Sequence, residues 1–269
     1  MISRVVSALI AVSILVGVKL GLGSQGLMIF SAIGCALGMV EYSKLKLPAT
    51  KSNVVLRLIF FVFCALIFAT SIFRPDLGLL ALSVCSVVFF TLGVITTQQQ
   101  DSLARTENNL MSGVLGFVYC GAMPAFAVSL IYLPNGEAWF AGLLTIVFAG
   151  DTAAYFAGRL FGRRKLHEVI SPKKTIEGSI GSLVGAAVAG FVMAKYFIPE
   201  IPVLAMVAIA LVSNVFAQVG DLFESLLKRV SDVKDSGGIM PGHGGMLDRL
   251  DGVYFAAPIY LALAIYLKA

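Results

Sequence analysis

Carboxylates, cations and glycines concentrate in three short stretches of this chain. The densest is residues 234–251, KDSGGIMPGHGGMLDRLD, with three aspartates, one lysine, one arginine, one histidine and five glycines. Glycine lets a backbone approach a ligand closely or take positive φ, and Pro241 stiffens the run that holds Gly237, Gly238, Gly242, Gly244 and Gly245. Asp248 and Asp251 lie three apart, on one face of a helix that starts there. Upstream, Asn214, Gln218, Asp221, Ser225 and Lys228 recur at spacings of four and three, a polar stripe on an otherwise apolar helix, flanked by Glu224. Asn, Gln and Ser alone would serve as glue between helices; the added Asp, Glu and Lys ask for chemistry. Asp221 opposed to Asp248 and Asp251 would form a cluster of hard oxygen ligands suited to Mg²⁺, which takes one or two carboxylates plus water and substrate phosphates. Zinc does not suit it, because no Cys joins in and the two histidines, His167 and His243, are far apart.

The second stretch is residues 162–181, GRRKLHEVISPKKTIEGSIG. Ser171 followed by Pro172 reads as an N-cap and first helical position, which puts Lys173 and Lys174 in a first turn, where cations oppose the helix dipole. Free backbone N–H groups, two ammonium groups and Thr175 would then make an anion site suited to phosphate. The competing reading is a membrane-surface anchor, since five basic residues fall between Arg163 and Lys174; His167 reads as a loop residue. The third stretch, AGDTAAYFAGRLFG at 149–162, sets Asp151 inside an apolar run, with Tyr155 and Gly158 on its helical face and Arg159 a turn further on. A carboxylate there costs about 2.5–3.5 kcal/mol on insertion scales. It is either functional or paired to a basic group that holds helices together.

The elements that must position these groups are membrane helices. Hydrophobic residues make up 58% and charged residues 13% of the 269 residues, about half the charge a soluble surface carries. Apolar runs long enough to cross a ~30 Å hydrocarbon core recur over roughly 4–22, 26–42, 55–73, 77–97, 110–133, 138–160, 179–198, 203–227 and 252–268. The expectation is an all-α, polytopic integral membrane protein of about nine transmembrane helices. The first run follows Arg4 without a small-residue cleavage site and reads as a retained span. With a cytoplasmic N-terminus, sixteen of the twenty Lys and Arg fall on the cytoplasmic side and four opposite. All three chemical stretches then face the cytoplasm from a multi-pass protein of the cell (inner) membrane. The net charge of +5 reads as topology plus attraction to anionic headgroups, not as nucleic-acid binding. Cys35, Cys64, Cys85 and Cys120 form no ligand-spaced cluster and read as packing residues. Residues 1–135 read as a transmembrane scaffold in which nothing demands chemistry, and 136–269 as the catalytic region of one integral unit.

Such groups at a membrane face point to phosphate chemistry on an amphiphile. No G-x-S-x-G elbow serves lipid hydrolysis and no P-loop serves a Walker ATPase. A secondary transporter would spread its polar residues near the midplane of repeated halves.

Residues 225–251 closely resemble the signature of the phosphatidate cytidylyltransferases, or CDP-diacylglycerol synthases. The matching positions are Ser225, Leu227, Lys228, Arg229, Lys234, Asp235, Gly237, Pro241, His243, Gly244, Gly245, Asp248, Arg249 and Asp251. The family's preceding GDxxES is matched by Gly220, Asp221, Glu224 and Ser225, and its SPKKTxEG by Ser171 to Gly178, with Asp151 in the upstream span. Met240 and Ile176 depart from the family's usual residues, both as apolar exchanges. The resemblance covers roughly 137–255. It implies transfer of a cytidylyl group from CTP to phosphatidate, giving CDP-diacylglycerol and pyrophosphate with Mg²⁺ required, and it allows a homodimer. It implies Asp221 and Asp248 as the metal pair, joined in the candidate set by Glu224 and Asp251; two metal ions fit this many carboxylates. Asp221, Asp248 and Lys228 are the candidate catalytic residues. Candidate substrate contacts are Asp151, Ser171, Lys173, Lys174, Thr175, Glu177, Ser225, Arg229, Lys234, Asp235, His243, Gly244, Gly245 and Arg249. A phosphomonoester with a second pKa of about 6 needs little general base, so His243 reads as a loop-ordering or phosphate-contacting residue. A CTP-dependent lipid kinase, such as a polyprenol kinase, and a transporter of anionic lipid or phosphate are the competing readings.

Overall fold

The computed structural model describes residues 2–47, 54–97, 102–237 and 244–268, with the side chains of 1–16, 18 and 268 outside that description. Among the described residues, nine α-helices run in chain order: α1 Ile2–Lys46, α2 Val54–Phe73, α3 Pro75–Thr96, α4 Leu103–Gly116, α5 Met123–Ser129, α6 Gly136–Phe161, α7 Ile176–Tyr196, α8 Val203–Val230 and α9 Leu247–Lys268. Eight segments among the described residues are long and apolar enough to cross a bilayer, from Lys19–Lys46 to Leu247–Leu267. Their outward apolar side chains, such as Val62, Leu79 and Leu204, are exposed, as a lipid-facing surface requires. The chain is an all-α, polytopic membrane protein. The run expected over 4–22 lies in the part of α1 whose side chains are mostly outside the description. It joins the 26–42 run through a break at Gly23, where φ 59 and ψ −144 suit only glycine.

The chain divides into two compact units, Met1–Val128 with Val233–Asp248, and Ser129–Asp232 with Arg249–Ala269. In the first unit, Phe117 stacks on Phe60 at 5.7 Å and meets Phe89 edge-on at 5.1 Å, while Tyr42 stacks on Phe60 at 6.0 Å and donates to the Ser112 carbonyl at 2.7 Å. Between α4 and α5 the chain makes a π-helical stretch, Phe117–Ala122. Pro124 cannot donate to the carbonyl four residues back, and a widened turn accommodates that loss.

In the second unit, small residues set the helix spacing. Gly178 on α7 faces Ala154 and Gly158 on α6, and Gly181 and Gly185 lie so close to Ala157 and Ala153 that a Cβ on either would overlap the alanine methyl opposite. Without a hydrophobic drive between helices in lipid, this packing is what holds them.

One expectation about local structure fails. Ser171 does not cap a helix: Ser171–Thr175 is a strand, β2, paired antiparallel with β1, Lys165–His167. The residue before a proline is pushed toward extended backbone, and Ser171 follows that rule. The cap is Thr175, at φ −125 and ψ 154, whose Oγ1 accepts from the Gly178 N–H at 3.1 Å. His167 therefore ends a strand, and its Nδ1 accepts from the Ile170 N–H at 3.3 Å across the hairpin turn.

Candidate active site

The polar stripe on α8 has two parts with different work. Asn214 is fully buried, and its Oδ1 accepts from the Ser182 hydroxyl on α7 at 3.0 Å and from Gln218 Nε2 at 2.9 Å. Gln218 Oε1 also accepts from the Ser179 hydroxyl. These amides and hydroxyls lock α7 to α8, the glue role for which Asn, Gln and Ser suffice. One turn further on, the stripe becomes ionic.

Four elements of the second unit bring their charged groups together there. Lys174 of β2 pairs with Asp221 of α8, Nζ to Oδ2 at 2.5 Å. Lys228 pairs with Glu224 one turn before it, and the glutamate is wholly buried. Asp151 of α6 is exposed at the surface and lies within electrostatic reach of Asp221, Lys174 and Arg249. Asp251 of α9 is buried and within electrostatic reach of Asp221, Glu224 and Asp151; its Oδ1 accepts from the Gly252 N–H at 2.7 Å. Gly220 allows α8 and α9 to approach, since a Cβ there would press on the Asp251 carbonyl at 2.5 Å. Asp151, Lys174, Asp221, Glu224, Lys228, Arg249 and Asp251 thus form one cluster.

The hairpin carries Lys174 to this cluster and Lys173 away from it. Successive residues of a strand point to opposite faces, so Lys173 is exposed while Lys174 lies half-buried on Asp221. The placement of both lysines in a helical first turn is corrected by this geometry. The anion at the α7 N-terminus is the protein's own Glu177, whose Oε2 accepts from the backbone N–H groups of Arg163 at 3.0 Å and Arg164 at 3.3 Å. Glu177 thereby ties the exit of α6 to α7. Arg229 braces the hairpin, donating from Nε to the Ile170 carbonyl at 3.4 Å. Ser171 and Ser225 are half-buried.

The remaining candidates belong to the first unit. Asp248 Oδ2 accepts from Gly245 N–H at 2.7 Å, from the Ser236 hydroxyl at 2.8 Å and from Ser236 N–H at 3.0 Å, which closes the ends of the glycine loop. Gly244 sits at φ +79 beside Asp248 and Asp235. Lys234 and Asp235 are exposed. His243, with Gly238, Pro241 and Gly242, lies outside the described residues.

One partner of this loop went unread in the sequence. Glu41 of α1 is wholly buried, and its Oε2 accepts from Leu247 N–H at 2.8 Å and from the Ser236 hydroxyl at 3.1 Å. A Cβ on Gly237 or Gly245 would overlap the Glu41 carboxylate. Those two glycines admit the protein's own carboxylate, and neither takes positive φ. The only signal in the sequence was an acidic residue at the end of an apolar run.

The donor set suits a hard cation. Among the described residues no three His, Cys, Asp or Glu converge as a closed metal cage, and Mg²⁺ does not use one: it takes one or two carboxylates, water and phosphate. Asp221 already draws the Lys174 ammonium to its oxygen, and a further cation would offset the repulsion it shares with Asp151 and Asp251.

A model of the cytidylyltransferase family matches residues 2–267. The chain belongs to the cytidylyltransferase family. Among curated members it is similar to the phosphatidate cytidylyltransferase of Bacillus subtilis (strain 168), 46% identical over 122 residues that span 45% of each chain. The enzymes of that name from Staphylococcus haemolyticus (strain JCSC1435) and Staphylococcus aureus (strain COL) are each 44% identical over 120 residues, 45% of this chain and 46% of theirs. The aligned stretch is less than half the length of these relatives.

Proposed function

We propose that this cytidylyltransferase-family chain transfers the cytidylyl group of CTP to phosphatidate, giving CDP-diacylglycerol and pyrophosphate. The observation that carries the reading is the convergence of Asp151, Lys174, Asp221, Glu224, Lys228, Arg249 and Asp251 from α6, β2, α8 and α9. The relatives' shared name, phosphatidate cytidylyltransferase, supplies the substrates. A phosphate oxygen of phosphatidate attacks the α-phosphorus of CTP. The bond from that phosphorus to the oxygen bridging to the β-phosphorus breaks, and its electron pair leaves with pyrophosphate. The attacking phosphate is largely ionised at neutral pH, so the protein's work is positioning and charge neutralisation.

The proposed Mg²⁺ ligands are Asp221, with Glu224 and Asp251 in its own unit, and Asp248 of the first unit; a bound ion would supply positive charge to the phosphate oxygens. Lys174, Lys228 and Arg249 offer further charge to those oxygens. Lys174 and Lys228 are held by Asp221 and Glu224, which orients their ammonium groups before substrate arrives. The basic asymmetry of the chain supports a site that faces the cytoplasm, where CTP is present.

The test is purified protein with Mg²⁺, phosphatidate in mixed micelles, and CTP labelled separately in the cytosine and at the γ-phosphate. Cytosine label in the lipid is the expected result. Lipid labelled only from the γ-phosphate would mean a kinase, and no labelled lipid would leave transport.

A further inference from the structure

Glu41 of α1 is a carboxylate buried against the two ends of the glycine loop, and its placement is specific. Its Oε2 accepts at once from Leu247 N–H, 2.8 Å away, and from the Ser236 hydroxyl at 3.1 Å. Leu247 immediately precedes Asp248, and Ser236 offers Asp248 both its N–H and its hydroxyl, at 3.0 and 2.8 Å. Glu41 therefore touches both segments that hold the Asp248 carboxylate. The fit is close on every side, because Gly237 and Gly245 have no Cβ to obstruct it and the side chain has no exposed surface. Burying a carboxylate costs several kcal/mol unless hydrogen bonds repay it. A simple helix-packing role would be filled more cheaply by Gln or Leu.

We infer that Glu41 is a positioning residue for Asp248: it fixes the start of α9 and Ser236, and through them the direction in which the Asp248 carboxylate presents itself to a divalent cation. This rests on the reading of Asp248 as a metal ligand. Glu41 does not touch the metal or substrate. Partners that orient a metal ligand typically contribute 10–100-fold to metal affinity or activity when removed, and Glu41 belongs to that class.

Three substitutions separate its position from its charge. Glu41→Gln keeps the length and a carbonyl acceptor for both donors but removes the charge. Glu41→Asp keeps the charge and withdraws the acceptor by about 1.5 Å, one C–C bond. Glu41→Ala removes both. The probe is Mn²⁺ alone, titrated into the full-length protein in detergent and followed by electron paramagnetic resonance of the free ion, with Asp248→Asn in the same series. Monodisperse elution shows which variants fold.

The expected result is Mn²⁺ binding weakened on the order of 10–100-fold in Glu41→Ala and Glu41→Asp, retained within a few-fold in Glu41→Gln, and weakened in Asp248→Asn. If Glu41→Ala does not fold, the Asp and Gln pair decides. Wild-type affinity in Glu41→Asp with weakened affinity in Asp248→Asn overturns the positioning role and leaves the metal reading intact. A loss in Glu41→Gln as large as that in Glu41→Ala also overturns it, because charge rather than position would then matter. Wild-type affinity in Asp248→Asn overturns the metal reading, and the inference falls with it.

Discussion

Replacing Lys174 with Met removes one charge while keeping side-chain length, and two effects of different size should follow. Lys174 Nζ lies 2.5 Å from Asp221 Oδ2, with 25% of the lysine side chain and 41% of the aspartate exposed. At that distance two unit charges attract by roughly 6–7 kcal/mol at an effective dielectric near 20 and by under ~2 kcal/mol in water. Desolvation and side-chain ordering offset most of this, and measured pairs with such exposure contribute about 0.2–1 kcal/mol. Thermal unfolding should therefore move little. If Lys174 instead neutralises phosphate charge during transfer, its loss should cost on the order of 10²–10³ in turnover, or about 2.7–4 kcal/mol, as for removal of one preorganised donor. The activation term exceeds the stability term several-fold, so the two roles are separable. The assay is CTP:phosphatidate turnover in mixed micelles beside a melting curve on the same preparation. A Lys174→Met protein with wild-type kcat/KM would refute the reasoning. So would a loss of turnover wholly explained by unfolding. Lys174→Arg should rescue incompletely, because a planar fork and a point charge differ in geometry.

Three further outcomes follow from the same geometry. In a Cys-free background, Lys165→Cys and Lys234→Cys should react with a membrane-impermeant thiol reagent only from the cytoplasmic side, as the basic asymmetry requires; labelling from outside intact cells would reverse the topology. Gly245→Ala would drive a methyl group into Glu41 and Ser236, and the overpacking should cost about 1–3 kcal/mol with loss of activity; an unchanged melting curve would contradict the packing. Thr175→Val removes the α7 cap while keeping the β-branched shape that suits β2, at about 1 kcal/mol, and Thr175→Ser should restore it; equal melting of Val and Ser variants would count against the cap.

How much could be read in advance depended on how local each signal was. The spans were legible because apolar length is a property of consecutive residues, and the α8 stripe because helical spacing is too. Asp221, Glu224 and Lys228 do stand together, with Lys174 and Asp151 beside them. The hairpin was not legible, since Ser-Pro satisfies both a helix start and an extended pre-proline residue, and only pairing with Lys165–His167 chooses between them. That choice also separated Lys173 from Lys174. Glu41 was invisible for a different reason: its partners Ser236 and Leu247 lie 195 and 206 residues away, and no periodicity reports such a contact. The glycines of the loop were read as room for a ligand, whereas Gly237 and Gly245 make room for Glu41.

The most direct test of the central claim joins the chemistry to the carboxylates. Purified wild-type, Asp221→Asn and Asp248→Asn proteins are given cytosine-labelled CTP and phosphatidate across a Mg²⁺ titration, and label in the lipid is counted. Asp→Asn keeps the size but removes charge and much of the ligand strength for a hard cation. The prediction is Mg²⁺-dependent transfer by the wild type and a loss on the order of 10²-fold or more in each monodisperse variant. Near-normal transfer in both variants, with an unshifted Mg²⁺ curve, would contradict the account.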